Sequence, residues 1–117
     1  MKRTSTPLTT TTSLDQFLAV SEKAFQQTVI DYAHLLGYLV YHTYDSRRSA
    51  FGFPDLVILG RREHGKPSRC IFAELKSEKG KTSPAQEAWL MELRACPGVE
   101  CYVWRPRDWQ EIVRVLE

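Results

Sequence analysis

A chain of 117 residues, 43% apolar and 26% charged, is long enough for one domain with a packed core. Its formal charge of +2 does not by itself identify a nucleic-acid binder. No apolar run approaches the roughly 18 residues of a membrane span, and the polar N-terminus lacks the apolar stretch of a secretory signal, so a cytoplasmic protein without a signal peptide is expected. Cys70, Cys96 and Cys101 form no CxxC pair and read as free thiols, while His34, His42 and His64 lack zinc-ligand spacing.

Residues 1–13, rich in Thr and Ser, read as a disordered tail, and residues 14–117 as a single domain without internal repeats. Leu14 to Val20 suit a short helix, with Ser13 and Gln16 in capping-box spacing. Ser21 then caps a helix from Glu22 to about Leu36 that Gly37 ends. Its apolar stripe is Phe25, Val29, Ala33 and Leu36. At about 100° per residue, Glu22 falls near the middle of that stripe with Gln26 beside it, so both polar side chains are expected to point inward.

Tyr38 to Tyr44 form a first predicted strand, Asp55 to Leu59 a second and Arg69 to Lys76 a third, separated by polar loops rich in Gly and Pro. After a turn at Lys79-Gly80-Lys81, Ser83, Pro84 and Gln86 combine an N-cap, a proline at the first helical position and a capping-box glutamine. The helix they open runs to about Ala95, buries Trp89, Leu90 and Leu93, and stops at Pro97-Gly98. Val99 to Trp104 make the fourth strand and Asp108 to Leu116 a closing helix. Hairpins make the first three strands antiparallel, and a helical crossover brings in the fourth. The fold class is therefore α/β, a mixed four-stranded sheet flanked by helices in the order αβββαβα.

Two strongly apolar runs carry carboxylates that a core alone would not select. Asp55 stands between Pro54 and Leu56-Val57-Ile58-Leu59, and Glu74 and Lys76 interrupt the run begun at Cys70. Residues two apart on a strand share a face about 6.5 to 7 Å apart, so Glu74 and Lys76 project together with Cys70 and Phe72, opposite Ala73 and Leu75. If the second and third strands pair antiparallel, Asp55 meets Glu74. Close carboxylates repel, and a divalent cation relieves that repulsion; oxygen donors with room for water suit Mg²⁺ or Mn²⁺ rather than zinc. Lys76 would orient an attacking water or counter developing charge, and Glu22 would be a third acid.

Each residue also has a purely structural role open to it. Glu22 suits a helix N-terminus, Gln86 completes a capping box, and Glu74 with Lys76 can be a surface ion pair. Taken together, the acids and the lysine at the ends of adjacent strands are better explained by metal-dependent hydrolysis. Basic residues cluster at Arg47-Arg48, at Arg61-Arg62-His64-Lys66-Arg69, at Lys76-Lys79-Lys81 and at Arg105-Arg107, within or beside predicted loops. A solvated surface accounts for any one of these clusters.

Pro54-Asp55 followed after about nineteen residues by Glu74-Leu75-Lys76 resembles the PD-(D/E)xK nuclease superfamily. The fuller set is Glu22 with Gln26, Gly52-Phe53-Pro54-Asp55, Ala73-Glu74-Leu75-Lys76-Ser77, Thr82-Ser83 with Gln86 and Trp89, and Val103-Trp104-Arg105-Pro106. Over residues 22 to 113 it resembles the virus-type replication-repair nuclease (VRR-NUC) domain, in its compact stand-alone type. That resemblance implies a restriction-endonuclease-like core and Mg²⁺- or Mn²⁺-dependent hydrolysis of DNA phosphodiesters. By position it assigns metal ligation to Asp55, Glu74, the Leu75 backbone carbonyl and, directly or through water, Glu22. It gives Lys76 the water and sets Gln86 beside the catalytic centre.

Stand-alone members resemble Holliday-junction resolvases, which implies a homodimer acting on four-way junctions in replication, repair or recombination within a bacterial or phage-infected cell. Arg47, Arg48, Arg61, Arg62, Lys66, Lys79 and Lys81 would then grip backbone phosphates. A flap-selective or restriction-like endonuclease is the enzymatic alternative, although no basic recognition helix stands out. A non-catalytic DNA-binding module is the other, and the complete set of acids and lysine argues against it.

Overall fold

The computed structural model describes residues 13–43, 50–60 and 65–117; except for Ser13, the tail expected over 1–13 lies outside them. Residues 13–18 are helical (α1). There follow α2 (Glu22–Leu35), β1 (Leu39–His42), β2 (Leu56–Gly60), β3 (Arg69–Leu75), α3 (Pro84–Arg94), β4 (Val99–Trp104), a 3₁₀ turn (Pro106–Asp108) and α4 (Trp109–Leu116). The sheet order is β1-β2-β3-β4. β1/β2 and β2/β3 are antiparallel and β3/β4 is parallel, the mixed α/β arrangement that the hairpins and the crossover predict. Among the described residues no helix is long and apolar enough to cross a membrane.

Local chemistry explains where the elements begin and end. Ser21 Oγ accepts the Ala24 amide at 3.1 Å, satisfying a donor the first turn of α2 cannot pair internally. Gly37, at φ 93°, takes the left-handed conformation that turns the chain out of that helix. The register Leu56↔Ala73 and Ile58↔Ile71 sets one apolar row facing Phe25, Val29, Ile30 and Ala33 of α2 and Ile112 and Leu116 of α4, and these residues form the core. The alternate row carries Cys70, Phe72 and Glu74 on the opposite face, where Phe53 stands edge-on to both Phe72 and Trp89 of α3. The helix order in sequence thus becomes two layers, with α2 and α4 on one face and α3 on the other.

Several expectations shift by a residue. Tyr38 precedes β1 instead of starting it, and is buried with its hydroxyl donating to the Leu116 carbonyl at 2.9 Å. Ile30 joins the α2 stripe, while Leu36 becomes a half-buried C-cap. Within α3 only Leu90 is fully buried; Trp89 and Leu93 are half-covered, because a helix laid across one edge of a sheet buries a narrow stripe.

At the end of β3 away from Asp55, Arg69 gathers the domain. Its Nε and Nη2 donate to Glu100 at 2.7 and 2.6 Å, and its Nη1 donates to the Tyr38 hydroxyl at 2.9 Å and the Val115 carbonyl at 2.7 Å. The guanidinium holds the Glu100 carboxyl below its ordinary value, so this stabilisation is complete above the ordinary value and fades as pH falls through the lowered one. Arg69→Met is expected to cost about 2 kcal/mol at pH 7 by urea unfolding, with the difference shrinking in acid as Glu100 protonates. Arg69→Lys, unable to form the fork, should restore less than half of the loss.

Candidate active site

Antiparallel pairing brings the start of β2 beside the end of β3. Pro54 is fully buried and supplies no amide there. Asp55 follows it; expected as the first residue of the strand, it stands one residue before β2, and its side chain does what a backbone carbonyl would: Oδ2 accepts the Leu75 amide at 2.8 Å. Its own carbonyl accepts the Thr43 amide at 3.0 Å, tying the residue to the end of β1. Continuing the register beyond Leu56↔Ala73 sets Asp55 across from Glu74 on one face.

Glu74 is 1% exposed. Its Oε2 accepts the Gln86 Nε2–H at 2.9 Å and lies 3.3 Å from Lys76 Nζ, while its Oε1 is buried with no donor. Gln86 also closes the capping box of α3, its Oε1 accepting the Ser83 amide at 2.8 Å and its own amide donating to Ser83 Oγ at 3.1 Å. One side chain thus caps the helix and steadies the acid. Glu22, expected to point inward, is exposed where it opens α2 at the rim of the group, within electrostatic reach of Asp55 and Lys76 and of the Ser77 amide.

All three acids are shifted upward, and burial is the leading cause for each. The Leu75 amide opposes the shift at Asp55. Glu74, repelled by Asp55 and only partly relieved by Lys76, is pushed up to about 8. The two carboxyls are close enough to share a proton.

An open cleft of about 350 Å³ fronts Asp55, lined by Thr43, Phe51, Lys76, Lys81 and Gln86 among others. A larger cavity of about 470 Å³ lies between α1 and the start of α4, lined by Phe17, Leu18, Pro106 and Trp109, with no acid in it. Of the two, only the smaller cleft is fronted by an acid. Lys79 is exposed on the loop after β3, and Lys81 reaches the cleft itself. Lys66 sits in the β2–β3 connection at the other end of the sheet, roughly 17 Å of strand away. Arg47, Arg48, Arg61 and Arg62 lie outside the described residues.

Three contributors are not visible in the sequence. His42 ends β1 near enough to Asp55 to favour its anion; no local signal in the sequence points to it, since only the β1/β2 register sets it opposite Leu56, the residue after the acid. Arg105 and Arg107 read as surface cations in the sequence, yet Arg105 donates to the Gly80 carbonyl and Arg107 pairs with Glu78 at 3.4 Å, so both fasten the loop that follows Lys76.

Among the described residues no three His, Cys, Asp or Glu side chains form a ready cage for a metal. What converges is a pair of carboxylates with one donorless oxygen and a third acid at the rim. All are oxygen donors, which fits an ion such as Mg²⁺ that is held by one or two carboxylates and keeps several waters.

A family model of the VRR-NUC domain matches residues 11–108. The chain belongs to the VRR-NUC domain family. A solved structure named "VRR_NUC domain protein" superposes with a TM-score of 0.62 at 16% identity, over 85% of this chain and 92% of that one, in keeping with a restriction-endonuclease-like fold. No curated protein matches the sequence. VRR-NUC membership sets the chain in a nuclease superfamily whose substrate is DNA and whose members generally depend on a metal.

The raised Glu74 acid has a consequence for stability. Between its ordinary value of 4.5 and its raised one near 8 the folded VRR-NUC domain binds the extra proton, so stability present below the ordinary value is lost as pH rises through the raised one. Glu74→Gln, which keeps an acceptor for Gln86, is expected to unfold at higher urea than wild type at pH 8 in EDTA, by roughly 1 to 3 kcal/mol, and to match it near pH 5.

Proposed function

We propose that this VRR-NUC protein is an endonuclease that uses Mg²⁺ or Mn²⁺ to hydrolyse phosphodiesters in branched DNA, a four-way-junction resolvase in type, serving replication, repair or recombination in a bacterial or phage-infected cell. The observation that carries the reading is the desolvated pair Asp55 and Glu74, with Lys76 against one Glu74 oxygen and no donor on the other.

Asp55 and Glu74 would hold the ion. The Leu75 carbonyl would join them, since a strand residue directs its carbonyl to the same edge as its amide, here the Asp55 edge. Glu22 would add a ligand directly or through water. When bound, the ion supplies Lewis-acid stabilisation of charge on the phosphate and a more acidic water. Lys76 Nζ would orient that water and offset charge as the phosphorus–oxygen bond breaks, and Gln86 would keep the Glu74 carboxylate turned to the cleft. Lys79 and Lys81 are suited to phosphates near the cut. Lys66 would meet only DNA that runs on past the far end of the sheet.

The homodimer that a resolvase needs has support at edge strand β1. There Leu39 (72% exposed), Tyr41 (62%) and Leu59 of β2 (40%) share one apolar face, and a two-fold axis would set that face against itself.

The test is cleavage of labelled four-way junction, flap, linear duplex and single strand in Mg²⁺ and in Mn²⁺. Paired nicks in the junction are expected. Asp55→Asn and Glu74→Gln should each lower the rate roughly a thousandfold or more while junction binding persists. Equal or faster cutting of flaps would replace the junction assignment, and binding without cleavage in either metal would make the protein a non-catalytic module.

A further inference from the structure

Two phenylalanines flank Gly52 and behave oppositely. The Phe53 amide donates to the Ala50 carbonyl at 3.1 Å, closing a turn over residues 50–53 with Gly52 at φ 86°, the geometry of a type II turn with Phe51 in its second position. Phe53 folds inward, its ring 5.0 Å from Trp89 and 6.0 Å from Phe72. Phe51 stays 79% exposed.

The exposure does not come from a loose backbone. Trp89 Nε1–H donates to the Phe51 carbonyl at 3.1 Å. Gly52 presses so closely on α3 that an added Cβ would stand 2.6 Å from the Ala85 backbone. The backbone is thus pinned at Phe51 and at Gly52, and Phe51, whose side chain packs into no core, is among the residues lining the cleft with Asp55, Lys76 and Gln86. Other exposed apolar residues, such as Leu39, Tyr41 and Met91, do not line that cleft. The second position of such a turn accepts most residues and favours proline, so the turn itself has no need of an aromatic side chain.

A flat, anchored π-surface beside a site for phosphate matches a nucleobase, which a nucleotide carries one sugar away from its phosphate. Resting on the nuclease reading above, we propose that Phe51 stacks on the base adjoining the scissile phosphate, replacing that base's neighbour in the strand. Such a contact favours positions where the neighbour is already displaced, as at a branch point, because less stacking must be broken there. It would make Phe51 a determinant of where branched DNA is cut, acting by base-independent stacking and not by reading sequence.

The experiment is a cycle between side chain and base. Once the cleavage position is mapped, kcat/KM is measured for wild type, Phe51→Ala and Phe51→Trp on a substrate with the adjoining base present and on one where that nucleotide is abasic. Thermal unfolding and Mn²⁺ affinity of the two variants should match wild type. With the base present, Phe51→Ala should lose roughly ten- to a hundredfold and Phe51→Trp should retain most activity; with the abasic nucleotide, wild type and Phe51→Ala should be equal. Equal rates on the intact substrate, or a deficit that persists with abasic nucleotides on both sides of the cut, would overturn the proposal. A wild-type protein that binds the DNA without cutting it would defeat the nuclease reading instead, and the same cycle run on binding constants would then decide the role of the ring.

Discussion

Like charges forced together out of water set the terms for everything near the β2–β3 junction. Antiparallel pairing sets Asp55 across from Glu74, Pro54 and the end of β3 keep solvent back, and both acids respond by rising above their ordinary range. A fold selected for stability alone would relieve this with an amide or an apolar side chain, since a buried carboxylate is destabilising unless fully paired. Here the relief is incomplete. The Leu75 amide steadies Asp55, Lys76 and Gln86 share one oxygen of Glu74, and the other oxygen has no donor. The arrangement leaves a place for positive charge supplied from outside the chain, which is what a metal-dependent nuclease family requires of its fold.

The surrounding structure holds that place rigid by giving single residues two tasks. Gln86 fastens the first turn of α3 through its carbonyl oxygen and reaches Glu74 through its amide nitrogen, so the position of the helix and the orientation of the acid are coupled. Asp55 ends the β2–β3 ladder and presents the carboxylate in one act. Arg105 and Arg107, just beyond β4, grip the loop carrying Glu78 and Gly80, so the chain leaving Lys76 is anchored to the end of the neighbouring strand. Disturbing the start of α3 should therefore be felt at the acids even where no acid is touched.

Much of this was legible in the residues because it depends on local spacing. Period-two alternation through Ile71, Ala73 and Leu75 separated the core face from the face of Glu74 and Lys76, and the Ser83-Pro84-Gln86 trio marked the start of α3. The hairpin loops foretold which strands pair and in which direction, hence which acids meet. Less visible were relations set by distant parts of the chain. Nothing near His42 signals Asp55; strand register alone brings them together. Arg105 and Arg107 look like surface cations until the loop they bind is folded beneath them. Clustering also misleads about reach, since Lys66 is close in sequence to Glu74 and Lys76 yet sits at the opposite end of β2 and β3. For Gln86 the capping contact and the contact to Glu74 coexist because an amide has two ends.

Whether Asp55 and Glu74 share one divalent ion is tested directly by anomalous diffraction from a crystal grown with Mn²⁺. The expected result is a single strong manganese peak coordinated by an oxygen of each carboxylate, absent in Asp55→Asn. A peak bound elsewhere, or one that survives loss of the Asp55 carboxylate unchanged, would contradict it.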